Sequence, residues 1–115
     1  MMSFTPKKKG APELEIRTAL VAMLTLRGWY CVITHGNLYQ SGLPDVYACH
    51  KSYGARWVEV KNPKKYSFTP AQLEVFPKLG SHGVGVWVLT EATEAEYDKL
   101  FKPANWYTYL SVMKV

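Results

Sequence analysis

Two stretches of this chain carry residues that could do chemistry together. Gly42-Leu43-Pro44-Asp45 leads into the apolar run Val46-Tyr47-Ala48-Cys49, and Arg56-Trp57-Val58-Glu59-Val60-Lys61 follows a polar turn at Lys51-Ser52-Tyr53-Gly54. Folded as antiparallel strands with Cys49 opposite Arg56, they bring Asp45 to the region of Glu59 and Val60. Cross-strand Cβ atoms lie about 4.5 to 5.5 Å apart, so two carboxylates there repel unless something positive lies between them. A divalent cation suits that position. Side chains alternate along a strand, which puts Trp57, Glu59 and Lys61 on one face and Val58 and Val60 on the other, the face expected toward the core. Lys61 then reaches the same site as Glu59. Glu-x-Lys on a strand also fits a plain solvated charge pair, and the surrounding elements have to decide between the two.

A chain of 115 residues is of single-domain size, and 48% hydrophobic content suffices to bury a core. The formal net charge is +5, with much of the excess at Lys7-Lys8-Lys9 and Lys64-Lys65. Such clusters suit a polyanion or serve only solubility, and nucleic acid is the first partner to consider. Cys31 and Cys49 lie in apolar runs without metal-ligand spacing, as expected of reduced thiols. No apolar run reaches the roughly 20 residues that span a bilayer, and no signal-peptide core follows the N-terminal lysines. A soluble, cytoplasmic protein is expected.

The elements that position the two stretches can be read in order. Residues 1–12, with Pro6, Gly10, Pro12 and three lysines, predict a flexible basic arm, and residues 13–115 the folded domain. Ile16, Leu20, Met23 and Leu24 recur at helical spacing, with Pro12 at the start and Gly28 at the end. Glu13 falls on the buried edge of that helix's first turn and Glu15 more to the side; an acid there also suits the helix dipole. Residues 29–34 read as a buried strand, and His35 opens a polar loop, where it could act as a base or phosphate contact or be a simple loop residue.

After the hairpin, Asn62-Pro63-Lys64-Lys65-Tyr66-Ser67-Phe68 is a basic, aromatic connection that fits a nucleic-acid backbone and a stacked base, or equally a loop with a packed phenylalanine. Thr69-Pro70-Ala71-Gln72 has the form of a capping box and predicts a helix to about Leu79, ended by Gly80. The run 84–89 reads as a strand covered on both faces. Thr93 starts a helix to about Lys102, and Asn105 a last helix whose Trp106, Tyr107, Tyr109 and Leu110 dock on the core or on a second copy. The predicted order, α-β-β-β-α-β-α-α, is an α/β domain with a mixed sheet between helices, its last strand parallel to its neighbour.

Glu13-Leu14-Glu15-Ile16, Gly28-Trp29, Gly42-Leu43-Pro44-Asp45, Val58-Glu59-Val60-Lys61 and Phe68-Thr69-Pro70-Ala71-Gln72 resemble, in order and spacing, the PD-(D/E)XK nuclease superfamily. Within it they are most similar to the stand-alone VRR-NUC domains of bacteriophages and bacteria, over roughly two thirds of the chain. The resemblance implies a single restriction-endonuclease-like domain. It also implies that Asp45, Glu59 and the Val60 carbonyl bind Mg²⁺ or Mn²⁺ and that Lys61 orients or activates the attacking water. Glu13, with Glu15 as its alternate, would complete the acidic cluster through the metal's water shell, and Gln72 would support the lysine or the metal site. Lys7, Lys8, Lys9, Lys64, Lys65 and Tyr66 would contact nucleic acid.

The implied activity is endonucleolytic hydrolysis of phosphodiester bonds in branched or duplex DNA. By analogy with Holliday-junction resolvases of the same core, a structure-selective nickase or junction resolvase is expected, acting as a homodimer because paired cuts need two active sites. A non-catalytic nucleic-acid-binding module of the same fold is the rival. A histidine-based nuclease using His35, His50 and His82 has no spacing to support it.

Overall fold

The apolar positions Ile16, Leu20 and Leu24 wind Ala11–Leu26 into helix α1, and Gly28, at φ +92°, turns the chain out of it. The computed structural model describes residues 11–34, 42–64 and 66–113, and the expectations for Lys7, Lys8, Lys9, His35 and Lys65 lie outside these residues. Strands β1 (Trp29–Ile33), β2 (Val46–His50) and β3 (Gly54–Val60) follow, and α2 (Pro70–Ser81) crosses over to β4 (Val86–Leu89). The described chain closes with α3 (Glu94–Asp98), a 3-10 turn (Lys99–Phe101) and α4 (Trp106–Met113). The sheet order is β1-β2-β3-β4, antiparallel except for the parallel β3–β4 pair that a helical crossover predicts. This is the α/β domain with a mixed sheet expected from the sequence.

Each face of the sheet carries its own core. On one, Leu20 and Leu24 of α1 meet Val46, Ala48, Val58, Val60 and Leu89; on the other, Phe68 and Phe76 meet Val86 and Val88. Full burial of such side chains stabilises by about 1.5 to 3 kcal/mol each. Trp106 and Tyr109 pack against the second core, so the apolar α4 docks on the domain's own core. No helix among the described residues is long and apolar enough to cross a membrane.

Four local expectations are corrected. The strand at residues 29–34 is not fully buried: β1 is a sheet edge, and Tyr30 and Val32 are 69% and 42% exposed on the face that α2 leaves open. The hairpin register is shifted by one, with Cys49 opposite Ala55 and Ala48 opposite Arg56. The cause is Gly54, which at φ +89° already pairs with His50 as the first residue of β3 rather than closing the turn. Helix α2 runs past Gly80. It ends where Gly83, at φ +83°, allows Val84 N–H to reach the Leu79 carbonyl and Gly83 N–H that of Gly80, the Schellman closure. Finally, the Asn105 side chain does not cap α4. Its Oδ1 accepts from Val88 N at 2.6 Å and its Nδ2 donates to Val88 O at 3.1 Å, which satisfies the outer edge of β4.

Gly42 sets how closely the segment before Asp45 approaches α2. Its φ is +90°, and a Cβ there would stand 2.7 Å from both the Ala71 carbonyl oxygen and Val75 Cγ2. Gly42→Ala is expected to lower stability by about 1 to 3 kcal/mol, read as a lower midpoint in urea unfolding; an unchanged midpoint would contradict this close approach.

Candidate active site

The corrected register makes the site. Val46 pairs with Val58, so Asp45, the next residue out, comes directly opposite Glu59. Asp45 N–H donates to Glu59 Oε1 at 3.2 Å, and Asp45 Oδ2 accepts from Val60 N at 2.9 Å. The segment is pinned from β1 as well: Thr34 N–H donates to the Asp45 carbonyl at 2.8 Å and Thr34 Oγ1 to that of Pro44 at 2.6 Å.

Glu59 and Lys61 face α2, and both are almost fully buried, at 2% and 4% exposure. A solvated charge pair is thereby excluded. Glu59 Oε2 lies 3.1 Å from Lys61 Nζ and accepts from Gln72 Nε2 at 2.8 Å. Lys61 Nζ also donates to the Ser67 carbonyl at 2.7 Å and to Gln72 Oε1 at 3.2 Å, over the Phe68 ring. All its donors are therefore in use. Gln72 occupies this place because of the capping box: Thr69 Oγ1 accepts from Gln72 N, Gln72 Oε1 accepts from Thr69 N, and Pro70 starts the helix. On the other flank, Glu13 Oε2 accepts from Asn62 N at 3.2 Å, at the rim beyond Lys61.

Burial dominates the electrostatics. It pushes the Glu59 carboxyl up to about 8, with the neighbouring Asp45 charge adding to the rise; contacts to Lys61 and Gln72 pull it back without offsetting it. Asp45 is also raised by burial. The Val60 N–H bond and the charges of Lys61 and Arg17 oppose that rise, and Glu13 adds to it. At both carboxyls the opposing charge nearby is outweighed by the cost of burial.

Asp45, Glu59 and Lys61 come together as the strand pairing predicts, and Gln72, expected here from the resemblance, joins them, with Glu13 at their edge. Among the described residues no three His, Cys, Asp or Glu side chains converge closely enough to hold a metal between them. The available donors are two carboxylates and the Val60 carbonyl. This set of hard oxygens suits Mg²⁺ or Mn²⁺, which takes one or two carboxylates and completes its shell with water and phosphate. Glu15 is exposed on α1. Lys64 is exposed, whereas Tyr66 is half-buried and edge-on to Phe68 and Tyr109, its ring engaged in packing. His50 stacks on Tyr53 and its Nε2 meets the Arg27 carbonyl, while His82 caps α2, so neither belongs to this site. Sequence reasoning missed Arg17, Asn62 and Ser67. Only Arg17 left a signal, four residues after Glu13 and so on the same helix face.

A solved structure described as a VRR_NUC domain shares this fold, with a TM-score of 0.60 over 79% of this chain and 95% of that chain at 21% sequence identity. No family model matches the sequence, and no curated protein does. The fold of this chain is that of a VRR_NUC domain, the fold its motifs resemble.

A pH dependence follows from Glu59. Its carboxyl titrates near 8 when folded against an ordinary 4.5, so in metal-free protein the folded state holds an extra proton between these values. The stabilisation is full below about 4.5 and is lost as pH rises through about 8. Thermal unfolding in EDTA should give a lower Tm at pH 8 than at pH 6, and Glu59→Gln should flatten that difference. A wild-type Tm that rises across this interval relative to Glu59→Gln would contradict the assignment.

Proposed function

We propose that this chain is a divalent-metal-dependent endonuclease that hydrolyses phosphodiester bonds in DNA. The observation that carries the reading is the pair Asp45 and Glu59, held in register at one end of the sheet, with Glu59 sealed from water and undercompensated. Asp45, Glu59 and the Val60 carbonyl would hold Mg²⁺ or Mn²⁺. Such a cation supplies charge neutralisation at the phosphate and a bound water of lowered pKa.

The protein's own residues then divide the remaining work. Gln72 holds Glu59 and Lys61 in fixed relation through its two ends. A Glu59 rotamer turned away from Lys61 frees one Nζ donor, which can reach the attacking water or a phosphate oxygen. Glu13 sits at the rim, where it can hold water next to Asp45. The fold neighbour's description as a VRR_NUC domain supports a nuclease. Lys64 and the lysines of the arm and connecting loop supply phosphate contacts. We assign branched DNA as the preferred substrate and a homodimer as the acting form, by analogy with resolvases, as a nickase or junction resolvase.

One observation favours a second reading, a non-catalytic nucleic-acid-binding module: Glu59 and Lys61 spend their polar atoms on each other, Gln72 and Ser67. Incubation with supercoiled plasmid and a four-way junction separates the two. Cutting is expected with Mg²⁺ or Mn²⁺, none in EDTA, and none with Asp45→Asn. Gln72→Ala should cost about 10- to 100-fold in rate, and Lys61→Ala should spare metal binding while losing rate. Metal-dependent cutting by Asp45→Asn would overturn the assignment, and tight binding without cutting by the wild type would favour the module.

A further inference from the structure

Arg17 lies one turn beyond Glu13 on α1, close enough to Asp45 for its charge to act on that carboxyl. It is half-buried, and its Nε is sealed from solvent without a hydrogen-bond partner among the described residues. No other side-chain nitrogen or oxygen among them is in that state. Buried polar groups nearly always find a partner, and a guanidinium cannot shed its proton to escape the need. Glu13, four residues earlier, would be the usual ion-pair partner, yet Glu13 bonds to Asn62 and Arg17 joins none of the ion pairs among the described residues. A planar cation with a sealed, unpartnered Nε and no ion pair among the described residues therefore stands on the flank of the acidic pair.

We infer that Arg17 is a substrate-binding residue whose Nη nitrogens take a non-bridging oxygen of a DNA phosphate on the α1 flank of the site, across the sheet end from Lys61. The identity of the ligand rests on the nuclease reading; the cation and its vacancy do not. A phosphate matches the guanidinium fork in shape and charge. It also spares Asp45 and Glu59 the cost of a directly bound arginine, which would compete with a metal ion for their oxygens.

The test is DNA binding by fluorescence anisotropy with Ca²⁺ in place of Mg²⁺, over a range of salt, on the full chain. Each phosphate contact contributes about 0.9 to the slope of log affinity against log salt for duplex DNA. Arg17→Gln should lower the slope by about that amount and weaken binding roughly tenfold near 0.1 M salt. Arg17→Lys should keep the slope but bind several-fold more weakly than wild type, because an ammonium lacks the fork. An unchanged slope and affinity in Arg17→Gln would overturn the proposal, since a guanidinium that only balances Asp45 leaves the salt slope alone. If Arg17→Gln fails to fold, Arg17→Lys decides: affinity equal to wild type overturns it. A wild type that shows the Arg17-dependent slope but cuts nothing in Mg²⁺ or Mn²⁺ would sustain this contact while removing the nuclease reading.

Discussion

A carboxylate taken out of water costs several kcal/mol even after the surrounding protein relaxes, and Glu59 is taken out almost completely. Much of the local architecture compensates for that burial. Asp45 N–H, Gln72 Nε2 and Lys61 Nζ all converge on its two oxygens. Each comes from a different part of the chain: the segment entering β2, the first turn of α2 and the end of β3. Their approach depends in turn on the backbone at Gly42 and on the loop that delivers the Ser67 carbonyl. Replacing a buried ion pair by apolar groups of similar volume is often neutral or stabilising, so stability alone does not explain why Glu59 and Lys61 are there.

The same strand also ties the site to the cores. Val58 and Val60 lie in the α1-side core while Glu59 and Lys61 face α2, so the strand alternates core residues and candidate-site residues. Val60 serves both, with its side chain in the core and its N–H on Asp45. A shift in core packing of a few tenths of an ångström is therefore transmitted to the carboxylate pair, because densely packed interiors pass strain on rather than absorb it.

What could be read from sequence was what depends on neighbours along the chain. The helical period of α1, the capping box at Thr69 and the alternation along β3 are local signals, and the elements follow them. The acidic pair was legible because Pro44-Asp45 and Glu59-x-Lys61 occur on elements that a hairpin brings together. The register was not, because one glycine serves equally well as the last residue of a turn or the first of a strand, and its φ decides. The exposure of Tyr30 and Val32 depends on β1 being a sheet edge, a property of strand order that no residue in β1 encodes. Arg17 left only its spacing from Glu13 as a signal: that its Nε is sealed without a partner among the described residues is visible only in three dimensions.

Gln72 shows how two demands can meet in one side chain. As the third residue of α2 it has to accept from Thr69 N, which glutamate or glutamine can do. As the neighbour of Glu59 it has to donate, which only the amide can do. A glutamate there would keep the helix start and place a third negative charge against an already undercompensated carboxyl. Of the two residues that complete the capping box, only glutamine therefore also meets the demand of Glu59, a choice the helix alone would leave open.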